Sequence, residues 1–206
     1  STLSASQASF HLPINSIDSS CNFSDHHAQI LLGILDYYLK KQWSYVSGHV
    51  TVNKALLDKY SNEYNFITVM RDPVERFISN YMFNKKTNSS EFMLPNKHKT
   101  DALIDEAKQI INSRRGWQMA NTTTMFLTGK YPKDENDALN MQKVVADNLS
   151  KFSIVGFLDE LSCFTRKIQK LTNKSITIQR LNQGNKVLQE PSSKELLELE
   201  EFLRGT

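Results

Sequence analysis

The stretch "FITVMRDPVERFISNYMFNKK", residues 66–86, decides how this chain is read. A continuous apolar run, Phe66-Ile67-Thr68-Val69-Met70, breaks off at Arg71-Asp72-Pro73. Such a run predicts a strand covered on both faces. A helix begins directly after it: Asp72 and Glu75 stand at N-cap and N3 around Pro73 at N1, three independent signals for a helix start. Val74, Phe77, Ile78, Tyr81 and Met82 then recur at i, i+3, i+4, i+7 and i+8, so the helix over 73–86 buries one face. Asp72, Arg76 and Ser79 are left on a different stripe, above the carboxyl end of the strand. In open α/β sheets that end, with its helix N-termini, receives anionic ligands. The Arg71 guanidinium can grip a phosphate bidentately, and Ser79, two turns into the helix, can add a hydroxyl donor. Spacing alone leaves a second reading open, in which Arg71 is a surface ion-pair partner and Ser79 is merely solvated.

Working outward, residues 24–41 place Ile30, Leu31, Ile34, Leu35, Tyr38 and Leu39 on one side of a helix. "WSYVSGHV" (43–50) is short, aromatic and β-branched and predicts a strand or strand end. Three further helices are expected: 100–113 (Leu103, Ile104, Ala107, Ile110, Ile111), 135–151 (Ala138, Met141, Val145, Leu149) and 159–172 (Leu161, Phe164, Ile168, Leu171). "FSIVGF" (152–157) and "SITIQRL" (175–181) read as strands, and 11–25 and 87–99 as loops. A last helix opens with a capping box, Ser192 and Glu195, before Leu196, Leu197 and Leu203. Strands alternating with helices imply parallel pairing and an α/β fold.

At 206 residues the chain suits one compact domain, 1–206, with a hydrophobic core. The net charge of +3 is carried by scattered lysines, whereas a nucleic-acid binder shows a denser basic face, so no nucleic-acid partner is expected. No window approaches the roughly 18 apolar residues of a membrane span, so no membrane contact is expected from this segment. The N-terminal residues lack the pattern of a signal or transit peptide. Two cysteines, Cys21 and Cys163, make no disulfide framework and no zinc-ligand spacing, which leans toward a reducing compartment. Asn-x-Ser/Thr triplets at Asn22, Asn88, Asn121, Asn148 and Asn173 read as the product of a composition rich in Asn, Ser and Thr.

"VMRDPVERFISNY" resembles the 3′-phosphate-binding segment of the sulfotransferases that use 3′-phosphoadenosine 5′-phosphosulfate (PAPS), closest to the carbohydrate branch that includes heparan sulfate 2-O-sulfotransferase. The resemblance implies that Arg71 and Ser79 hold the nucleotide's 3′-phosphate. "SGHV" (47–50) is similar to the family's Gly-His stretch and implies His49 as general base. "NTTTMFLTG" (121–129) resembles a segment that usually reads Asn-x-Gln-Thr before Leu-x-Gly, with Thr123 in place of the Gln. "FSIVGFLDELSCF" (152–164) resembles the strand and helix before the family's last nucleotide-contacting loop, and "RLNQGNK" (180–186) stands where that loop would be, with Lys186 or Arg180 reaching the nucleotide or the acceptor.

The same family carries a strand–loop–helix similar to Lys-x-Gly-Gly-Thr-Ser-Leu, whose N–H groups and Lys cradle the 5′-phosphosulfate. Ser1-Thr2-Leu3 looks like the last three positions of that motif, and the segment after it suits the motif's helix. On this reading the first strand and the catalytic Lys lie upstream of residue 1, Ser1 and Thr2 are 5′-phosphate ligands, and the chain as given is nearly inactive. The implied fold is a P-loop-like three-layer α/β fold with a central, mainly parallel sheet flanked by helices. The implied reaction moves a sulfuryl group from PAPS to a hydroxyl of a carbohydrate acceptor, leaving PAP (3′-phosphoadenosine 5′-phosphate), with no metal. The alternative is a non-catalytic relative that binds a nucleotide or an anionic glycan. A bacterial member would be cytoplasmic, the preferred reading, and a eukaryotic one would sit in the Golgi lumen.

Overall fold

The computed structural model describes residues 7–10, 25–87, 103–176 and 193–205. In chain order the first half forms β1 (Gln7–Phe10), α1 (Asp25–Lys40), β2 (Tyr45–Gly48), α2 (Lys54–Tyr60), β3 (Ile67–Met70) and α3 (Pro73–Thr87). The second half forms α4 (Leu103–Ile111), α5 (Arg114–Ala120), α6 (Thr122–Thr128), α7 (Glu135–Leu149), β4 (Ile154–Phe157), α8 (Leu161–Thr172) and α9 (Ser193–Arg204). The strands pair two by two, β1 with β2 and β3 with β4, so the described chain is mixed α/β and mostly helical. Two compact units share these elements: residues 1–68 with 121–155, and 69–120 with 156–206.

In the first unit β1 runs parallel to β2, with Gln7 opposite Tyr45 and Phe10 opposite Gly48. A parallel pair needs a crossover, and α1 supplies it. Ala28, Leu31, Leu35 and Leu39 form the buried stripe of α1, at the spacing that faces one side of a helix. Leu35 and Leu39 join Val52, Leu56, Leu57, Tyr60, Phe66 and Leu127 in one apolar cluster. Gln7–Phe10 is thus a strand, where the reading of Ser1-Thr2-Leu3 as a motif end expected a helix. The sequence there has no 3.6-residue apolar period to hold a helix, and pairing with β2 satisfies its backbone instead.

The second unit is built around Phe77, Tyr81, Ala107, Ile110, Met119 and Leu199, contributed by α3, α4, α5 and α9. The buried face expected of α3 is therefore the observed one. Tyr81, the most buried tyrosine of that face, donates its hydroxyl to the Glu106 carboxylate, and burial foremost raises its pKa above the ordinary phenol value. Along α9 Leu199 is fully buried and Leu197 is 60% exposed. Leu196, Leu199 and Leu203 follow i, i+3 and i+7, whereas Leu197 falls on the outer side.

β3 departs from expectation too. Phe66 is buried while Ile67 and Val69 are 37% and 40% exposed, so the strand is half-covered rather than enclosed on both faces. Among the described residues its sheet has two strands, and the pleat puts alternate side chains outward. The short helices α2, α5 and α6 were not expected. Ser192 and residues 11–24, 88–102 and 177–181 lie outside the described residues, Asp25 and Thr87, expected in loops, are helical, and Ser175 and Ile176 are not strand.

Two glycines allow a direct check of this packing. A Cβ on Gly116 would come within 2.1 Å of the Ile110 carbonyl oxygen and 2.5 Å of the Ile111 Cα, backbone atoms that cannot step aside, so α4 and α5 meet through the missing side chain. Gly33, in the middle of α1, has nothing within 4 Å of such an atom. Gly116→Ala is expected to cost about 1–3 kcal/mol or more, and Gly33→Ala to gain about 0.5–1 kcal/mol. Urea unfolding of both variants reads the opposite signs, and equal effects would overturn the packing described for α4 and α5.

Candidate functional site

The junction between β3 and α3 is set by one side chain. The Asp72 carboxylate accepts from the backbone N–H groups of Val74 and Glu75 through Oδ1, each at 3.0 Å. Its carbonyl accepts from the Arg76 N–H at 2.9 Å. This is an N-cap, and it stops the strand and starts the helix within two residues. The other carboxylate oxygen, Oδ2, lies 3.3 Å from Nη1 of Arg204, whose Nη2 and Nε also reach Glu200 at 2.8 and 2.9 Å. The last turn of α9 is thereby tied to the first turn of α3. The Asp72 pKa is held below the ordinary carboxylate value, first by the Glu75 N–H and then by Arg204, with partial burial opposing.

Arg71 follows the last residue of β3, and Ser79 stands exposed on α3. The Arg71 side chain is 33% exposed and its Nε lies 3.5 Å from Oε2 of Glu75, itself 50% exposed. The ion-pair reading left open by the sequence is thus realised, although the pair is long and weak and the Arg71 side chain stays partly exposed. Arg76 behaves differently. Its Nη2 donates to the carbonyls of Met119 and Ala120 at 3.0 and 3.2 Å, closing the end of α5, where carbonyls lack helical partners. Arg76 is therefore taken from the stripe it was expected to share with Ser79. Because Asp72 occupies the first N–H groups of α3, an anion here would be held by side chains rather than by the helix terminus.

His49 belongs to the first unit. Gly48 has a φ of 155°, a backbone state that favours glycine, and its carbonyl accepts from the Val50 N–H at 3.0 Å. His49 is thus at the apex of a three-residue turn at the end of β2, and it is exposed. Its ring stacks on Phe126 of α6, with centroids 6.1 Å apart and planes at 29°. The Val52 N–H donates to the Phe126 carbonyl at 2.8 Å, and the Thr51 hydroxyl, fully buried, donates to the Ala28 carbonyl at 2.7 Å. These contacts bring together "SGHV" and "NTTTMFLTG", two segments far apart in sequence. Thr123 lies in the first turn of α6. Sequence reasoning missed the Asn53 cap of α2, whose Oδ1 accepts from Leu56 N–H at 2.8 Å, although an Asn before Ala55-Leu56-Leu57 signals it.

Ser1, Thr2, Arg180 and Lys186 lie outside the described residues. His27 is partly covered, and burial lowers its pKa. Asn148 is 1% exposed and donates to the Leu127 carbonyl at 2.7 Å, which removes that triplet as a glycan acceptor in the folded chain. Among the described residues no group of three or more His, Cys, Asp or Glu could hold a metal ion, and no helix is long and apolar enough to cross a membrane. Comparison with protein-family models, with curated proteins and with solved structures gives no match to this chain.

The Asp72 cap carries a pH signature. With its pKa lowered in the folded chain, its stabilisation is complete above the unfolded value of about 3.9 and fades as pH falls through the lower folded value. Asp72→Ala is expected to lose about 1 kcal/mol at pH 7, a deficit that shrinks in acid. Asp72→Asn keeps a capping oxygen and should retain most of that stability while losing its pH-dependent part. Urea midpoints across pH 2–7 measure both, and a deficit for Asp72→Ala that is the same throughout would contradict the assignment.

Proposed function

We propose that this chain is a PAPS-dependent sulfotransferase that moves a sulfuryl group from PAPS to a hydroxyl of a carbohydrate acceptor. The fold this proposal entails is the P-loop-like three-layer arrangement, with a central, mainly parallel sheet that extends beyond the strand pairs described above. One observation supports it above the others: an arginine at the exit of β3 and an exposed serine eight residues later, on the helix that starts there. Arg71 offers a partly open guanidinium, the group best shaped for a phosphate ester. Ser79 offers an exposed hydroxyl in the helix's second turn.

Sulfuryl transfer demands in-line geometry and a nucleophile that loses its proton. An alcohol is far too weak an acid to do this alone at neutral pH, so a base on the acceptor side lowers the barrier. His49 suits that role: an imidazole titrates near working pH, the tight turn presents it to solvent, and Phe126 limits its ring orientation. Arg71 and Ser79 bind and orient the nucleotide and do not react. Ser1, Thr2 and Lys186 are assigned to the nucleotide by the same resemblance, and no metal enters the chemistry.

Calorimetric titration with PAP and kinetics with PAPS test these roles separately. Removing a charged hydrogen-bond donor is expected to weaken PAP binding by about 10- to 100-fold in Arg71→Ala. His49→Ala should retain PAP affinity while kcat falls by about 10²- to 10⁴-fold. Unchanged PAP affinity in Arg71→Ala would overturn the phosphate assignment. PAP binding without sulfuryl transfer from PAPS to a carbohydrate acceptor would leave the non-catalytic reading instead.

A further inference from the structure

Resting on that reading of Arg71, we propose that Glu75 is a built-in competitor for the phosphate site, a carboxylate that occupies the arginine until a more highly charged anion displaces it. Arg71, Glu75 and Ser79 are spaced four residues apart. Within α3, Glu75 and Ser79 are i, i+4 neighbours, whose Cβ atoms lie about 5–6 Å apart. Nε of Arg71 contacts Oε2 of Glu75 at 3.5 Å. A group held by both Arg71 and Ser79 therefore passes over the Glu75 side chain, and the two anions contend for one guanidinium.

The surrounding charges make this competition local. Asp72 is committed to the helix cap and to Arg204, and Arg204 also binds Glu200. Arg76 is committed to the end of α5. Glu75 uses its backbone N–H on Asp72, but its carboxylate is half-exposed and its contact with Arg71 is long. Such a pair holds by a fraction of the strength of a bidentate one, so it yields to a dianion that can satisfy the guanidinium's outer edge and the Ser79 hydroxyl together. A singly charged or uncharged group gains too little to expel a carboxylate tethered four residues away, whose effective concentration is high. Glu75 thus lowers the site's affinity for the phosphate monoester that must displace it, and it takes no part in transfer.

The test is titration of the wild-type chain, Glu75→Gln, Glu75→Ala and Arg71→Ala with two probes, PAP and adenosine 5′-monophosphate, which lacks the 3′-phosphate. Removing one like charge beside the bound phosphate should tighten PAP binding by about 3- to 10-fold in both Glu75 variants. Their affinity for the monophosphate should stay that of wild type, and thermal unfolding should show both folded. Equal or weaker PAP binding in both Glu75 variants, with Arg71→Ala weakened, would overturn the competitor role and leave the phosphate reading standing. Equal tightening for both probes would show a general charge effect and overturn it as well. PAP binding that Arg71→Ala does not change would overturn both the competitor role and the phosphate reading.

Discussion

Much of the second unit depends on where the Asp72 carboxylate is committed. By taking the N–H groups of Val74 and Glu75 it ends β3, begins α3 and sets the phase in which Phe77 and Tyr81 face the core. With its other oxygen it holds Arg204, so the end of α9 is anchored where α3 starts, and Leu199 is delivered fully buried into the same cluster. The same cap closes the helix terminus to outside anions. A helix whose first N–H groups are already bonded offers little of its usual pull on a phosphate. Any anion site at this junction must then be built from side chains, and Arg71 is the cation whose carboxylate partner is weakly held.

The arginines of this region show how identical chemistry is given different work. Arg76 is drawn to the open carbonyls of α5, where a donor is needed and solvent is partly excluded. Arg204 serves two carboxylates and joins two helices. Arg71 has a long contact with Glu75, and its side chain is partly exposed. Surface ion pairs of that kind contribute little to stability because each charge gives up good hydration for a modest Coulomb gain. What Arg71 contributes is readiness: a cation kept in place without being fully satisfied.

His49 owes its position to a different device. Gly48 reaches a φ that other residues avoid, the chain turns back within three residues, and the imidazole comes to rest on Phe126. The stacking holds one ring face while the residue stays exposed. Thr51, buried two residues later and bonded to the Ala28 carbonyl, ties the turn to α1.

How much of this could be read from residues alone depended on whether the signal was local. The Asp72-Pro73-Glu75 start, the buried face of α3 and the stripes of α1, α4 and α7 are encoded at 3.6-residue spacing and within single turns, and they are legible because helix hydrogen bonds close within four residues. Strand burial was not legible: the run 66–70 is apolar, yet Ile67 and Val69 lie open because coverage depends on which elements pack over a sheet. The strand at Gln7–Phe10 and the short helices α2, α5 and α6 likewise depend on partners distant in sequence or on caps too brief to form a pattern. Spacing placed Arg76 beside Ser79, but carbonyls more than forty residues away claimed it. The sequence by itself determined where the longer helices α1, α3, α4 and α7 lie and which faces they bury. Only the tertiary structure decided which charged groups are engaged and which remain open, because a carboxylate or carbonyl becomes a partner through distance in space, and the chain order does not record that distance.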